Sequence, residues 1–256
     1  MSLFVGAAEY DRFMGRYSVP LAPLLADFAG IASGQAVLDV GCGPGALTGE
    51  LVKRLGAPAV SAVDPSESFV AAARERHPGV AVEQAAAEEL PHPDRTFDAA
   101  LAQLVVHFMT DPVAGLGEMA RVTRRGGVVA ACVWDHAGDR GPLSIFWEAA
   151  RQLDSDVEDQ SQAAGAHRGH LVELFAAAGL TEVAGSVLSV SVTHPSFNDW
   201  WEPFALGVGP AGSYTAGQGT ERQAELRELC RQKLPEAPFV LTAHAWTARG
   251  VVSLPR

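Results

Sequence analysis

Short apolar segments alternate with helical segments between residues 35 and 134, and this alternation constrains the fold more than any other feature of the chain. The candidate strands read AVLDV, AVSAVD, VAVEQA, FDAALAQLVV and GVVAACVW. Most are apolar along their length, as is typical of strands that are covered on both faces. Consecutive parallel strands also need a helical crossover between them. We therefore predict an α/β domain with a doubly wound, mostly parallel sheet.

The connecting helices are predicted from apolar spacing and from helix start and stop residues. The first is expected from about Val19, the next ends at Gly56, and Ser66 is the candidate N-cap of the third. A further helix is expected to begin at Pro112 and to end in a Gly-Gly stop at Gly127. His77 closes the third helix, where we expect a surface side chain.

The rhythm changes after Trp134, and three regions can be separated along the chain. Residues 1–34 form an N-terminal helical segment that is expected to act as a lid. Residues 35–194 and 236–256 form the sheet domain, which includes two long late strands. Residues 195–235 lie between these strands and are rich in Trp, Phe and Gly, so we predict a helical insertion that caps the substrate.

Charge and cysteine content exclude some classes of function. The net charge is −11, which disfavours the basic surface that nucleic acids require. The three cysteines show no CxxC spacing, which favours a reduced, cytoplasmic protein, and no metal site is predicted. No apolar run approaches the ~20 residues of a membrane span, and we expect neither a secretory signal nor an integral membrane contact. A monomer or a homodimer is expected.

A glycine-rich turn follows the first strand and precedes a helix. Glycines at 41, 43 and 45 let the backbone approach a ligand, and free N–H groups at a helix start favour an electron-rich group. Asp64 ends the second strand, 19 residues after Gly45, where a carboxylate can accept hydrogen bonds from both hydroxyls of a ribose. The two features together predict a nucleoside site.

Two nucleoside ligands compete for this site. Dinucleotide folds use G-x-G-x-x-G to hold a pyrophosphate, whereas this loop reads GCGPG and follows Asp39. A carboxylate beside the loop repels a pyrophosphate and attracts an ammonium group. S-adenosylmethionine carries an α-ammonium and no phosphate, so Asp39 favours it over NAD(P). A Rossmann-type oxidoreductase remains the alternative.

The segments VLDVGCGPGALT, AVDPSESFVAAARER, AAAEELPHPDRTFDAALAQLVVHF and DPVAGLGEMARVTRRGGVVAACVW resemble, in this order, the motifs of class I S-adenosylmethionine-dependent methyltransferases. Within that superfamily they are most similar to the small-molecule branch with the ubiquinone/menaquinone-type enzymes (methyltransferase type 11). The resemblance covers about Val37 to Trp134, and YDRFMGRYS extends it toward the N-terminus. It implies a Rossmann-like, seven-stranded sheet with an antiparallel last strand, and methyl transfer to a small molecule that leaves S-adenosylhomocysteine.

The resemblance also implies roles for individual residues. The positions that would contact the cofactor are Tyr10, Arg16, Asp39, Gly41, Cys42, Gly43, Gly45, Asp64, Pro65, Ser66, Ala87, Glu88 and Gln103. In relatives an aspartate contacts the adenine amine where this chain has Ala86, a loss of about 1 kcal/mol for one hydrogen bond. Ala86 is also the one feature that favours a homologue that binds the cofactor and transfers nothing.

The acceptor side is less defined by the sequence. His107 and His136 follow the fourth and fifth strands and are candidate bases, although each side chain can equally serve packing. Trp200, Trp201 and Phe204 are candidates for an apolar acceptor pocket, and the rival interpretation is that they anchor the insertion to the core. The sequence leaves open whether the acceptor atom is oxygen, carbon or nitrogen.

Overall fold

A single mixed sheet of seven strands organises the protein, as seen in a computed structural model that describes residues 6–253. The strands are β1 (Val37–Val40), β2 (Val60–Asp64), β3 (Ala81–Gln84), β4 (Phe97–Gln103), β5 (Thr123–Trp134), β6 (Thr181–His194) and β7 (Phe239–Val251). Their order is β3-β2-β1-β4-β5-β7-β6, and β7 runs antiparallel to both of its neighbours. The predicted sheet, including its antiparallel last strand, is confirmed.

Helices cover both faces of this sheet. They are α1 (Ala7–Tyr10), α2 (Arg16–Ala29), α3 (Ala46–Leu55), α4 (Glu67–Arg76), α5 (Pro112–Val122), α6 (Ser144–Leu153), α7 (His170–Ala177), α8 (Phe197–Ala205), α9 (Gly209–Gly217) and α10 (Thr220–Lys233). Leu38 and Val40 pack into one apolar cluster with α5 and α7, while Val37 belongs to the other cluster with α2, α3 and α6. This two-sided burial explains why the strands read as apolar runs.

The N-terminal helical region begins earlier than predicted. It starts at Ala7, passes through one π-helical turn at Asp11–Gly15 and continues into α2, so the expected start near Val19 is wrong. Pro20 favours a helix start in the sequence, yet here it lies inside α2. Burial of Phe13 and Tyr17 against the core stabilises the additional turns.

The boundary between α5 and β5 also differs from the prediction. The helix ends at Val122, and the segment from Thr123 to Gly127 begins the strand. A Cβ on Gly127 would lie 2.5 Å from the carbonyl oxygen of Asp98, beside an irregularity in the β4–β5 pairing. Gly127 thus serves close strand contact, and Gly126 supplies a positive φ at the start of the strand, so neither acts as a helix stop.

The insertion is helical and packs against the N-terminal segment. It contains α8, α9 and α10 between β6 and β7. The ring of Phe204 on α8 stacks on Phe146 at 4.6 Å and meets Phe13 edge-on at 5.4 Å. Both segments therefore cover the same end of the sheet. None of the helices within residues 6–253 combines the length and apolar character needed to cross a bilayer.

Candidate active site

The glycine turn connects β1 to α3 and is held by the end of β2. The N–H groups of Gly41 and Cys42 both donate to the carbonyl oxygen of Val63, at 2.8 and 2.9 Å. Gly41, Gly43 and Gly45 all have positive φ, which permits this sharp path. Cys42 is buried, and its thiol also donates to the carbonyl oxygen of Gly43 at 3.5 Å.

The three glycines are required for different reasons. A Cβ on Gly41 would lie 2.4 Å from the side chain of Val105, and one on Gly45 would lie 2.5 Å from the ring of His77. Only Gly43 faces open space, with no atom within 4 Å of a Cβ position. The sequence assigned all three to ligand approach, and the structure assigns two of them to contacts within the protein. His77 is half-buried and also contacts the turn, since its Nε2 lies 2.9 Å from the carbonyl oxygen of Gly45, a contact that the sequence did not indicate.

Asp64 fastens the turn to the second strand. One carboxylate oxygen accepts from the N–H of Gly43 at 2.8 Å, and the other accepts from the N–H of Ser66 at 2.9 Å. The side chain is buried, and burial raises its pKa. Each carboxylate oxygen retains a lone pair for a further donor.

Two buried oxygen atoms near the turn lack donors. One carboxylate oxygen of Asp39 accepts from the hydroxyl of Thr48 at 2.6 Å, and the other has no hydrogen-bond partner among residues 6–253. Gln103 donates to the carbonyl oxygen of Ser18 at 3.0 Å, and its own amide oxygen is likewise unpartnered. Asp39 pairs with Leu101 on β4, so Gln103 lies two residues further along the neighbouring strand. Burial raises the pKa of Asp39 to about 7.

The N-terminal segment lies against this turn. The ring of Tyr10 meets Phe69 edge-on at 5.4 Å, and burial raises the pKa of Tyr10 to about 12, with the charge of Asp64 adding to the effect. Asp11 pairs with Arg76 at 2.6 Å, and Arg76 also donates to the carbonyl oxygen of Pro44 at 3.3 Å. The segment is therefore tied to the glycine turn by charge and by aromatic packing.

The residues assigned to adenine line the next part of the sheet edge. Ala87 is buried, and the carbonyl oxygen of Pro65 accepts from the amide of Gln84 at 2.9 Å. The carboxylate of Glu88 accepts from the N–H of Thr110 at 2.7 Å, which fixes the turn before α5. Ser66 occupies the N-cap position of α4, as predicted, with its hydroxyl 3.0 Å from that of Ser68. Contact of these residues with adenine stays a prediction.

Arg16 is engaged by the insertion. Its guanidinium donates to Asp199 at 2.7 Å and lies 3.0 Å from Nδ1 of His194, whose Nε2 lies 3.0 Å from the hydroxyl of Tyr17. These contacts join α2 to β6 and α8. Arg16 therefore has two possible roles: it binds the carboxylate of the cofactor, as the resemblance implies, or it holds the insertion against α2.

Replacing Arg16 by methionine decides between these roles. The structure leads us to expect a loss of about 1 kcal/mol in the free energy of unfolding, because Asp199 and His194 lose a half-buried partner. Affinity for S-adenosylhomocysteine should change by less than about twofold. Urea denaturation and calorimetric titration measure the two quantities. Arg12→Met is the matched control, because the Arg12–Glu202 pair is exposed. An affinity loss without a stability loss would restore the sequence-based assignment.

The glycines give a second test at this site. Gly41→Ala should lower the free energy of unfolding by about 3 kcal/mol, because a left-handed backbone and overlap with Val105 act together. Gly43→Ala should cost only about 1 kcal/mol in stability, yet should weaken S-adenosylhomocysteine binding at least about tenfold. Denaturation and titration of both variants check this. Equal stability losses would contradict the distinction drawn between these positions.

A separate cavity lies beyond β4 and β5, between the N-terminal segment and the insertion. Its volume is about 40 Å³, it is partly open to solvent, and both His107 and His136 line it. Their ring centroids are 5.7 Å apart. Burial lowers the pKa of His136 to about 4 and that of His107 well below its ordinary value, so both rings are neutral at pH 7. The structure thus brings the two candidate bases together.

The three aromatic residues assigned to the acceptor lie elsewhere. Trp200, Trp201 and Phe204 are all buried in the core under the insertion, and they do not line the cavity that holds the histidines. Their surroundings favour the anchoring interpretation. The aromatic surface that does line the cavity comes from Phe13, Phe108 and Trp134, among others. Sequence reasoning missed Phe13 because nothing in the sequence placed it near β5.

Comparison with known proteins identifies solved structures of the same fold and relatives of similar sequence. The sheet order and the solved neighbours define a Rossmann-like fold. The YcgJ protein from Bacillus subtilis aligns with a TM-score of 0.60 at 18% identity, covering 91% of this chain and 98% of that one. Phosphoethanolamine N-methyltransferase 2 from Haemonchus contortus, solved in complex with S-adenosyl-L-methionine, aligns with a TM-score of 0.58 at 16% identity, covering 98% and 60%.

A family model described as a methyltransferase domain matches residues 38–131. The resemblance noted in the sequence is thereby confirmed. Trans-aconitate 2-methyltransferase from Methylobacterium nodulans is 36% identical over 130 residues, covering 51% of this chain and 50% of that relative. A ubiquinone/menaquinone biosynthesis C-methyltransferase from Bdellovibrio bacteriovorus is 36% identical over 131 residues, covering 48% and 56%. The chain spans about half the length of these curated relatives.

Proposed function

We propose that this protein is an S-adenosylmethionine-dependent methyltransferase that acts on a small molecule. The observation that carries the proposal is the pair of buried, unpartnered oxygen atoms of Asp39 and Gln103 beside the glycine turn. An ammonium group supplies the hydrogen-bond donors that both atoms lack, and the positive charge that the Asp39 carboxylate calls for. A pyrophosphate supplies neither, which disfavours the NAD(P)-dependent alternative.

The described residues fit the rest of this cofactor. Asp64 lies where its remaining lone pairs can accept from ribose hydroxyls, and Gly43 leaves room above the turn. Tyr10 covers the same edge of the sheet. Residues 1–34 would then serve as a lid and residues 195–235 as a cap on the domain formed by the remainder. When bound, S-adenosylmethionine supplies an electrophilic methyl group on a sulfonium centre.

The chain itself has to position the acceptor, exclude water and handle protons. Because His107 and His136 are neutral, each has a ring nitrogen that can accept a proton from a hydroxyl or amine acceptor. The mostly apolar lining of their cavity reduces the contact of the acceptor with water. We assign the candidate catalytic role to these two side chains and leave the acceptor atom open.

The wider setting is also part of the proposal. A net charge of −11 supports a small-molecule acceptor rather than nucleic acid, and three free, buried cysteines support a cytoplasmic protein. A monomer or a homodimer stays a prediction. A homologue that transfers nothing remains the second candidate because of Ala86. A solved [4+2]-cyclase with a TM-score of 0.54 and 21% identity is named for a reaction other than methyl transfer, although this likeness concerns fold alone.

Calorimetric titration with S-adenosylmethionine, S-adenosylhomocysteine, NAD and NADP tests the proposal. We expect both sulfur ligands to bind with dissociation constants in about the micromolar range and the dinucleotides not to bind. Binding of NAD or NADP in place of the sulfur ligands would overturn it. Detection of a methylated product by mass spectrometry, after incubation with a library of candidate acceptors, would exclude the hypothesis of a homologue that transfers nothing.

A further inference from the structure

The cavity beyond β4 and β5 has a lining that restricts the charge of its occupant. Most of the surface is apolar and comes from side chains such as Phe13, Met14, Leu104 and Leu143. Among the described residues that line it, none carries a formal charge at neutral pH. A ligand with a carboxylate, phosphate or ammonium group would find no counterion there, and burial of an unpaired charge is strongly unfavourable.

The charged groups near the cavity are already paired. Asp135 and Asp159 are the carboxylates whose charges influence His136. Asp135 pairs with Arg140 at 2.6 Å, and Asp159 pairs with Arg151 at 2.5 Å. Because each carboxylate is paired with an arginine, neither provides an unpaired charge for a ligand.

Three residues that line the cavity each carry a buried side-chain nitrogen atom that lacks a hydrogen-bond partner within residues 6–253. These atoms are Nδ1 of His107, Nε2 of His136 and Nε1 of Trp134. His136 is 8% exposed and Trp134 only 2% exposed, so bulk water does not form hydrogen bonds with these nitrogen atoms. A neutral imidazole nitrogen accepts a hydrogen bond in one tautomer and donates in the other, and an indole nitrogen only donates. A hydroxyl group both donates and accepts, and therefore matches this set.

We infer that the acceptor is an uncharged, mainly apolar molecule whose hydroxyl group is held between His107 and His136. This inference adds a substrate class to the proposed methyltransferase function. It rests on that function, because only a methyltransferase makes the occupant of the cavity a methyl acceptor. It separates this chain from its relative named for trans-aconitate, which is a polycarboxylate. Part of the cavity lining, including Phe13, Leu143 and Pro210, lies outside residues 38–131, the segment that matches the family model.

Equilibrium binding of three matched single-ring probes tests this inference. The protein is saturated with S-adenosylhomocysteine, and p-cresol, toluene and p-toluate are titrated by NMR or calorimetry. They share one ring and one methyl group and differ in carrying a hydroxyl, no polar group or a carboxylate. We expect p-cresol to bind about tenfold more tightly than toluene, and p-toluate to bind at least about tenfold more weakly than p-cresol.

The variant His136→Leu should remove most of the preference for p-cresol over toluene while leaving the affinity for S-adenosylhomocysteine unchanged. His167→Leu is the control, because it removes an exposed histidine outside the cavity. Tighter binding of p-toluate, no binding by any probe, or an unchanged preference in His136→Leu would overturn the inference. Probe binding as expected without any binding of S-adenosylhomocysteine would instead refute the proposed cofactor and leave the cavity chemistry standing.

Discussion

Asp64→Ala is expected to reduce the affinity for S-adenosylhomocysteine at least about a hundredfold, or ~3 kcal/mol. Two effects add. The variant removes the acceptor proposed for the ribose hydroxyls, and it also releases the N–H groups of Gly43 and Ser66 that the carboxylate now holds. The glycine turn then loses its tie to the end of β2, so the binding surface itself becomes less ordered.

Thermal unfolding with and without the ligand, together with calorimetric titration, measures this effect. The stabilisation by S-adenosylhomocysteine seen in the parent protein should largely disappear in Asp64→Ala. Asp27→Ala is the matched control, because Asp27 is an exposed carboxylate that pairs with Arg54 away from the turn. Retention of most of the ligand-induced shift in Asp64→Ala would mean that the cofactor does not lie over β2.

Asp39→Asn should weaken cofactor binding and strengthen the fold at the same time. Its carboxyl is buried, with one oxygen lacking a partner among the described residues, and burial raises its pKa to about 7 from 3.8. A carboxyl whose pKa is higher in the folded than in the unfolded state adds to the free energy of unfolding when it is protonated. This addition is complete below the unfolded pKa, and it is lost as the pH rises through the folded pKa. At about pH 8 the charge therefore destabilises the free protein, and asparagine removes that cost, for a gain of about 2 kcal/mol.

The same residue predicts the pH dependence of binding. The anionic form of Asp39 is the one that attracts an ammonium group, so affinity for S-adenosylhomocysteine should fall about tenfold for each pH unit below about 7. In Asp39→Asn the affinity should be at least about a hundredfold weaker at pH 8 and nearly independent of pH below 7. Titrations at about pH 6 and pH 8 give both values. A parent protein with a flat profile, or a variant that binds normally, would show that Asp39 does not face the ammonium.

The sheet could be predicted from the sequence because each strand carries its own signal. The apolar runs from Val37 to Trp134 reflect burial on both faces, a local consequence of the doubly wound arrangement. Errors arose where one residue type serves two purposes. Gly126 and Gly127 resemble a helix stop, but Gly126 adopts a positive φ and Gly127 allows close strand contact, while the helix expected from Val19 begins earlier because Phe13 and Tyr17 are buried.

The candidate site was predictable to the extent that its residues are close in sequence. The glycine turn, Asp39 and Asp64 belong to two consecutive strand–helix units, so their proximity follows from the crossover rule. The Arg16–Asp199 pair joins residues 183 positions apart, and no local pattern indicates it. The acceptor cavity likewise combines the N-terminal segment, two strand ends and the insertion, and its lining became visible only when these were packed together.

A crystal structure of the protein with S-adenosylhomocysteine tests the central claim most directly. The account predicts that the amino group of the ligand lies within about 3 Å of the unpartnered oxygens of Asp39 and Gln103, with the ribose hydroxyls on Asp64. It would be contradicted by a structure in which the ligand binds away from the glycine turn, or by one in which the diphosphate of NAD occupies that turn.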